Sequence, residues 1–143
     1  MTSPETDAED FVIAYLVSQN VLAAGQISAR MLDNVSTPFI LVQRVAGDDD
    51  YLFDSATVDL DSFATDQTTA STVARTAHHA MRQLHPKTRV TMPDSSTVTP
   101  YSPAKTEQTP IFMPWESSGG GAILFRYVGR YRIQLRLPKI VGF

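Results

Sequence analysis

Side chains able to carry chemistry are clustered at three places in the chain. Asp48, Asp49 and Asp50 form an acidic run, His78 and His79 are adjacent, and residues 119–121 are all glycine. Clustered carboxylates suit a hard cation, but the acidic run lacks the spaced ligands and distal glutamate of a calcium loop. Three adjacent acids at a predicted hairpin tip are more typical of a solvated turn, and we favour that interpretation over a metal site.

The histidines and the glycine run give equally weak indications of catalysis. Side chains at adjacent helical positions point about 100° apart, so His78 and His79 do not face one another, and no HExxH pattern surrounds them. The glycine run precedes a predicted strand and lacks the Lys-Ser or Lys-Thr ending of a phosphate-binding loop. No GxSxG motif is present. We therefore predict a protein that is not an enzyme and uses no metal or cofactor.

Four arginines lie on the last predicted strand, Ala122 to Leu137, at spacings of four, two and four residues. They are Arg126, Arg130, Arg132 and Arg136, and they share the side opposite the apolar residues of that strand. A row of like charges requires solvent, carboxylates or a nucleic-acid backbone beside it. The simplest interpretation is cross-strand pairing with Asp59 and Asp61, while a contact between subunits and a contact with DNA phosphates remain open.

Trp115 belongs to an apolar cluster, residues 111–115, inside a segment rich in Pro, Ser, Thr and Gly that spans residues 93–121. A connection of that length is usually functional or disordered when it has no secondary structure of its own. The cluster is expected either to fold back on its own domain or to anchor in the pocket of a partner, as interface aromatics do.

Hydrophobic periodicity predicts two helices and several strands around these residues. The first helix has Thr6 as N-cap and Glu9 as its capping-box partner and stops near Asn20. The other predicted elements are a strand at Ile27–Met31, a strand at Phe39–Val45, a hairpin tip at Gly47–Asp50, a strand at Tyr51–Phe63, a helix at Asp66–Leu84, an edge strand at Thr88–Met92 and the last strand. This order predicts one α/β (α+β) domain over residues 1–143, with an antiparallel or mixed sheet of about four to five strands, two helices on one face, and a long Pro-rich loop at residues 93–121.

Charge is distributed unevenly along the chain. Residues 1–71 have a balance of −10 and residues 72–143 a balance of +7, against a net charge of −3. This asymmetry fits either two halves that pair within one fold or a bipolar subunit whose acidic side meets the basic side of a neighbour. The chain contains no cysteine, which excludes thiol catalysis, disulfides and Cys-based zinc sites.

The chain also lacks an apolar run near the ~20 residues that a membrane helix needs. Its first ten residues are acidic and polar, unlike the basic start of a signal peptide. We therefore expect no membrane partner and a protein that remains in the compartment where it is made.

Several of these patterns together resemble the tail terminator proteins of long-tailed (siphovirus-type) actinobacteriophages. The likeness lies in the acidic N-terminal helix, the strand ending Val58-Asp59-Leu60-Asp61-Ser62-Phe63-Ala64, the Ala-rich helix from Thr69 to Leu84 that follows it, and the closing strand from Arg126 to Arg136. It covers most of the chain but consists of residue type and order, and residues 93–121 cannot be matched one by one.

The resemblance implies a structural virion protein located at the head–tail junction and, during assembly, in the host cytoplasm. Its subunits would form a homohexameric ring that caps the tail tube, ends tube polymerisation and offers the surface for head joining. The implied partners are further copies of the chain, the major tail tube protein and a head-completion or neck protein, with genomic DNA only passing through the lumen. The family has no catalytic residues to carry over.

Side-chain chemistry suggests where such subunits meet. We expect the acidic tip at Asp48, Asp49 and Asp50 to contact basic residues of the next copy, with Trp115 and the four arginines as further interface candidates. Two other functions remain alternatives, a head-closure (neck) protein and a small DNA-binding module that uses the arginine face of the last strand on phosphates.

Overall fold

The computed structural model describes residues 7–31, 37–49, 53–114 and 124–136. Within these ranges the chain forms two α-helices, a short 3-10 turn at Ala24–Gln26 and seven strands. The elements are α1 (Ala8–Ser18), β1 (Ile27–Ser28), β2 (Phe39–Asp49), β3 (Phe53–Ala64), α2 (Gln67–Arg82), β4 (Val90–Thr91), β5 (Thr97–Val98), β6 (Lys105–Phe112) and β7 (Phe125–Arg136). The predicted α+β class is confirmed.

The main sheet has five strands in the order β1-β2-β3-β7-β6. All neighbouring pairs are antiparallel except β1 and β2, so the sheet is mixed. Strands β4 and β5 form a separate two-stranded hairpin. The strands β3 and β7, from opposite halves of the sequence, pair along their whole length from Phe53↔Arg136 to Ala64↔Phe125 at the centre of the sheet.

Both helices pack on one face of this sheet. Helix α1 contacts β1, β2 and β3, while α2 contacts β3, β7 and β6. The strands alternate with period two, so one set of apolar residues meets the helices and most polar residues lie on the opposite face. That opposite face also has a small apolar cluster of its own, in which Phe39, Leu41 and Phe63 are buried. The buried residues of the helix-covered face include Ile40, Val42, Ala56, Val58, Leu60, Tyr131, Ile133 and Leu135, which pack with Phe11, Leu16, Ala77 and Met81 of the helices.

Carboxylate N-caps begin both helices. In α1 the Asp7 side chain accepts a hydrogen bond from the Asp10 backbone N–H at 3.1 Å, so the cap lies one residue after the predicted Thr6, which falls outside the described residues. In α2 the Asp66 carboxylate accepts from the backbone N–H and hydroxyl of Thr69, and these hydrogen bonds lower the pKa of Asp66.

The described part of the predicted loop at residues 93–121, which ends at residue 114, differs most from its prediction. This interval contains β5 and most notably β6, which pairs with β7 and forms one edge of the main sheet. Two register shifts interrupt β6, and Pro110 lies between its pairs Gln108↔Arg130 and Ile111↔Val128. Proline is tolerated in edge strands and at irregularities because the lost N–H is not needed by the ladder. The Pro- and Thr-rich composition therefore concealed a strand.

Strand β2 also continues through the predicted hairpin tip as far as Asp49. Gly47 makes this path possible, since its φ is +136° and an added Cβ would lie 2.1 Å from the Ser55 carbonyl oxygen. Only glycine accepts both the positive φ and the close approach of the partner strand. Asp48 therefore extends the ladder, pairing with Ser55, and is not part of a free turn.

Candidate subunit interface

The sheet face opposite the helices carries a ladder of cross-strand ion pairs. Asp59 lies directly across from Arg130, and the two form a bidentate pair, with Nε to Oδ1 at 2.7 Å and Nη2 to Oδ2 at 3.1 Å. The carboxylate raises the pKa of the Arg130 guanidinium by hydrogen bonding and by charge. Cross-strand pairing, the simplest interpretation from the sequence, is thus confirmed for Arg130.

Arg126 makes a looser pair on the same face. Its Nη1 lies 3.8 Å from Oδ2 of Asp61, and its Nε donates to the Met113 carbonyl oxygen at 3.2 Å. Burial raises the pKa of Asp61, and the positive charge of Arg126 acts in the opposite direction. Burying a carboxylate without a partner is costly, so Arg126 stabilises the fold by pairing with Asp61, in addition to its predicted role at an interface.

Arg132 and Lys105 form an exposed basic pair at the edge of the same face. They are direct cross-strand neighbours in the β6–β7 ladder, and across from Arg132 on the other side is Thr57. Among the described residues neither cation has an ion-pair partner. Like charges placed directly opposite each other destabilise a sheet, so this pair favours an acidic partner from outside the subunit.

Arg136 ends β7 in a different environment. Its guanidinium lies 5.8 Å from the centre of the Tyr101 ring, which stacks on Phe53 with ring centroids 4.8 Å apart. The Tyr101 backbone N–H donates to the Gln134 carbonyl at 2.8 Å, and the Ser102 hydroxyl donates to the Gln134 side chain at 2.6 Å. These contacts hold the segment before β6 against β7, and sequence reasoning missed them because all of them are non-local.

Acidic residues gather on the other side of the subunit, around α1 and β2. Arg44 of β2 pairs with Asp54 in bidentate fashion at 2.6 and 2.7 Å, and its backbone N–H donates to Glu9 Oε2 at 2.9 Å. The exposed carboxyl groups that remain on this side belong to Asp7, Asp10 and Asp48. The side chain of Asp49, together with Asp50 and Trp115, lies outside the described residues, so their predicted interface roles stay predictions.

The two halves of the sequence therefore pair only in part. Asp59 and Asp61 meet arginines inside the fold, as the first interpretation of the charge asymmetry expected. Most of the remaining exposed charges of the described residues separate across the sheet, with Asp7, Asp10 and Asp48 beside α1 and β2 at one end of the strand order, where the exposed Arg30 follows β1. The exposed cations Arg75, Arg82, Lys105 and Arg132 lie on α2, β6 and β7 at the other end, together with one exposed acid, Glu107 of β6.

The histidine pair divides between interior and surface. His78 Nδ1 lies 2.9 Å from the hydroxyl of buried Tyr131, whereas His79 is exposed and contacts Gln83. Burial, Arg82 and His79 lower the pKa of His78, and burial raises that of Tyr131. The sequence predicted that both histidines lie on the polar surface of the helix. The structure differs for His78, because α2 packs on β7 with the His78 side chain next to Tyr131.

Within the part of the chain that the structure describes, no group of three or more His, Asp or Glu residues is placed to hold a metal ion. Neither described helix has the length and apolar character required to cross a bilayer. No protein-family model matches this chain, and neither does any curated protein.

Proposed function

We propose that the protein is a structural subunit of a bacteriophage tail, a terminator that assembles head to tail into a closed ring, with a hexamer as the expected form. The ring caps the tail tube, ends its polymerisation and presents the surface to which the head joins. The sequence resemblance suggests this function, and the separation of exposed acids and cations across the sheet is the observation that supports it best.

Charge separation suits a ring because a heterologous interface joins two different surfaces of identical subunits. The basic pair of Arg132 and Lys105 lies at the β6–β7 edge, and Asp48 lies at the end of β2 on the acidic side. Such a contact stabilises an oligomer and also orients the encounter of subunits, and both effects weaken as salt screens the charges.

The arginine ladder is less suited to a dedicated DNA-binding module. Arg126 and Arg130 are each engaged by an aspartate on the same sheet face. A protein that binds DNA through phosphates needs several cations free to displace counterions, which gives its affinity a steep salt dependence. The partial neutralisation therefore favours a role in which DNA passes by without being tightly held.

Assembly in the presence of the tail tube protein tests the proposal directly. Tubes polymerised with this protein should have a capped end and stop growing, as seen by electron microscopy, whereas tubes without it should have uncontrolled lengths. The double variant Arg132→Glu/Lys105→Glu should lose self-association and capping. Lys87→Glu, at an exposed cation in the turn after α2 that belongs to neither charged side, is the matched control and should retain both.

A charge-swapped partner makes the test specific. Asp48→Lys/Asp49→Lys/Asp50→Lys should fail to assemble alone but should associate with the Arg132→Glu/Lys105→Glu variant. The proposal fails if the wild-type protein neither associates with itself nor changes tube length. Binding to the portal-side assembly with no effect on tube length would instead indicate a head-closure protein.

A further inference from the structure

Helix α1 has a second apolar side, which is only partly buried and packs in part against the core. Its buried side consists of Ala8, Phe11, Val12, Tyr15 and Leu16. On the opposite side, Asp10, Ile13, Ala14 and Val17 follow helical spacing and line a groove of about 370 Å³. Thr91, Met92 and Pro93, at and after the end of β4, form the other wall. The groove is thus apolar with one acidic residue beside it.

An apolar patch lies at the other side of the sheet, at the end of the edge strand β6. Ile111, Phe112 and Met113 are consecutive and remain 46%, 40% and 38% exposed. Because successive strand residues point to opposite faces, Ile111, opposite Val128, lies on the face away from the helices and Phe112, opposite Tyr127, lies on the helix side. The patch is therefore the apolar rim of this sheet edge, and a group of exposed apolar side chains at an edge is typical of a contact site.

Contacts on its inner side hold this patch in place. The Phe112 ring packs against Tyr127 and Phe125, with ring centroids 5.5 and 6.2 Å apart. The Met113 backbone N–H donates to the Arg126 carbonyl at 2.9 Å, and Arg126 Nε donates back to the Met113 carbonyl. A pre-ordered patch loses little conformational entropy on docking, which favours association.

We infer that Ile111–Met113 of one copy docks into the α1 groove of a second copy. The two surfaces are separate within one subunit, because the groove is lined by α1, Ala24 and the end of β4 and none of its lining residues belongs to β6. An apolar projection that fits a groove elsewhere on the same molecule generates head-to-tail association. This inference rests on the proposed ring and names its contact.

Charge complementarity selects a second copy as the occupant. Asp10 lies at the groove and Asp7 and Asp48 are exposed on the same side. Lys105 and Arg132, which have no ion-pair partner among the described residues, lie along the edge that carries the patch and outnumber its one exposed acid, Glu107. Where the patch side of one copy meets the groove side of the next, an apolar contact and a contact between opposite charges therefore form together. A ring of identical subunits uses both contacts at every interface.

Two variants with one damaged surface each provide the test. Ile111→Glu/Met113→Glu removes the patch and leaves Phe112 on its aromatic neighbours, while Ala14→Glu/Val17→Glu places charge in the groove. Each variant alone should lose rings and associate about 100-fold more weakly, since two buried apolar side chains are removed. Mixed in equal amounts, the variants should form a 1:1 dimer, because one intact patch and one intact groove remain.

Met31→Glu, at a residue 41% exposed and outside both surfaces, is the matched control and should assemble like wild type. Since the chain has no native cysteine, a chain carrying Ile111→Cys and Ala14→Cys provides a second readout. Under oxidising conditions it should form covalent oligomers between copies, and either single-cysteine variant should not form the series. This cross-linking experiment also tests the contact in the event that a glutamate variant fails to fold.

Native mass spectrometry of these samples decides between outcomes. The inference is overturned if both variants still form rings, if the mixture gives no 1:1 dimer while both variants are folded, or if the cysteine pair does not cross-link. If the wild-type protein nevertheless forms rings that cap tubes, the proposed function is supported but the subunits meet through a different contact. A wild-type protein that neither self-associates nor caps tubes would reject both.

Discussion

The two faces of β3 and β7 show how one pair of strands serves two purposes. On the helix-covered face, Val58 pairs with Tyr131 and Ala56 with Ile133, and these positions are almost fully buried. One residue along, on the opposite face, Asp59 pairs with Arg130 and Ser55 with Gln134. The first face stabilises the fold by burial, and the second provides polar surface at modest gain in stability.

Neighbouring substitutions on β7 give the largest expected contrast between the faces. Ile133→Ala should lower the free energy of unfolding by about 2–5 kcal/mol, because Ile133 is 1% exposed and its loss leaves a cavity. Arg132→Ala, one residue away and exposed, should change it by less than about 0.5 kcal/mol. Urea denaturation measures both, and similar losses at the two positions would contradict the division between faces.

Gly129→Ala should have the next largest effect. An added Cβ would lie 2.8 Å from the Tyr131 hydroxyl and 3.1 Å from its ring, so the buried Tyr131 side chain would have to shift, which would disturb its hydrogen bond with His78. We expect a loss of about 1–3 kcal/mol, as for other overpacked cores. The combination with Tyr131→Leu should recover part of that loss, and a fully additive result would show that the ring isn't the cause.

The ion pair of Asp59 and Arg130 should contribute less. A double-mutant cycle with Asp59→Ala and Arg130→Ala should give a coupling of about 0.2–1 kcal/mol, since the Arg130 side chain is 45% exposed. The coupling should decrease in high salt because salt screens exposed charges. A coupling well above this range that does not depend on salt would contradict this expectation, because it would indicate a pair less exposed to solvent than the structure shows.

The smallest expected effect is a dependence on pH through His78. Its pKa in the folded protein is lowered from 6.5, so the unfolded chain binds the proton first as the pH falls. Stability attributable to His78 is therefore retained above pH 6.5 and lost as the pH falls below it towards the folded pKa. His78→Gln should flatten this part of the pH profile of unfolding. His79→Gln is the matched control, and an equal change in both variants would contradict the assignment.

Much of the fold followed from periodicity in the sequence. The alternation of Ala56, Val58 and Leu60 with Asp59 and Asp61 placed these residues of β3 on the faces where the structure has them. Strand β6 escaped prediction because its mostly polar sequence, interrupted by Pro110, has no apolar alternation, and it depends on hydrogen bonds to β7. Likewise, nothing near Tyr101 in the sequence indicates its contacts with Phe53 and Arg136.

The candidate interface was predicted less completely than the fold. The sequence located the arginine row and the charge asymmetry, but two of the four arginines, Arg126 and Arg130, proved to have aspartate partners within the subunit. The register of β3 against β7 places these two arginines next to Asp59 and Asp61. The groove beside α1 was not predicted, because it forms only where Ile13 and Val17 meet Met92 and Pro93, about 75 residues later in the chain.

The sequence by itself determined the class of fold, the two helices and, in β3 and β7, the side of the strand on which each patterned residue lies. These properties depend on local spacing, which neighbouring residues set through backbone geometry. Only the tertiary structure decided which charges are paired, which remain exposed at opposite edges of the sheet, and where apolar surface is left uncovered. Those properties depend on contacts between residues far apart in the chain, and the strand order that creates them is not written in any single segment.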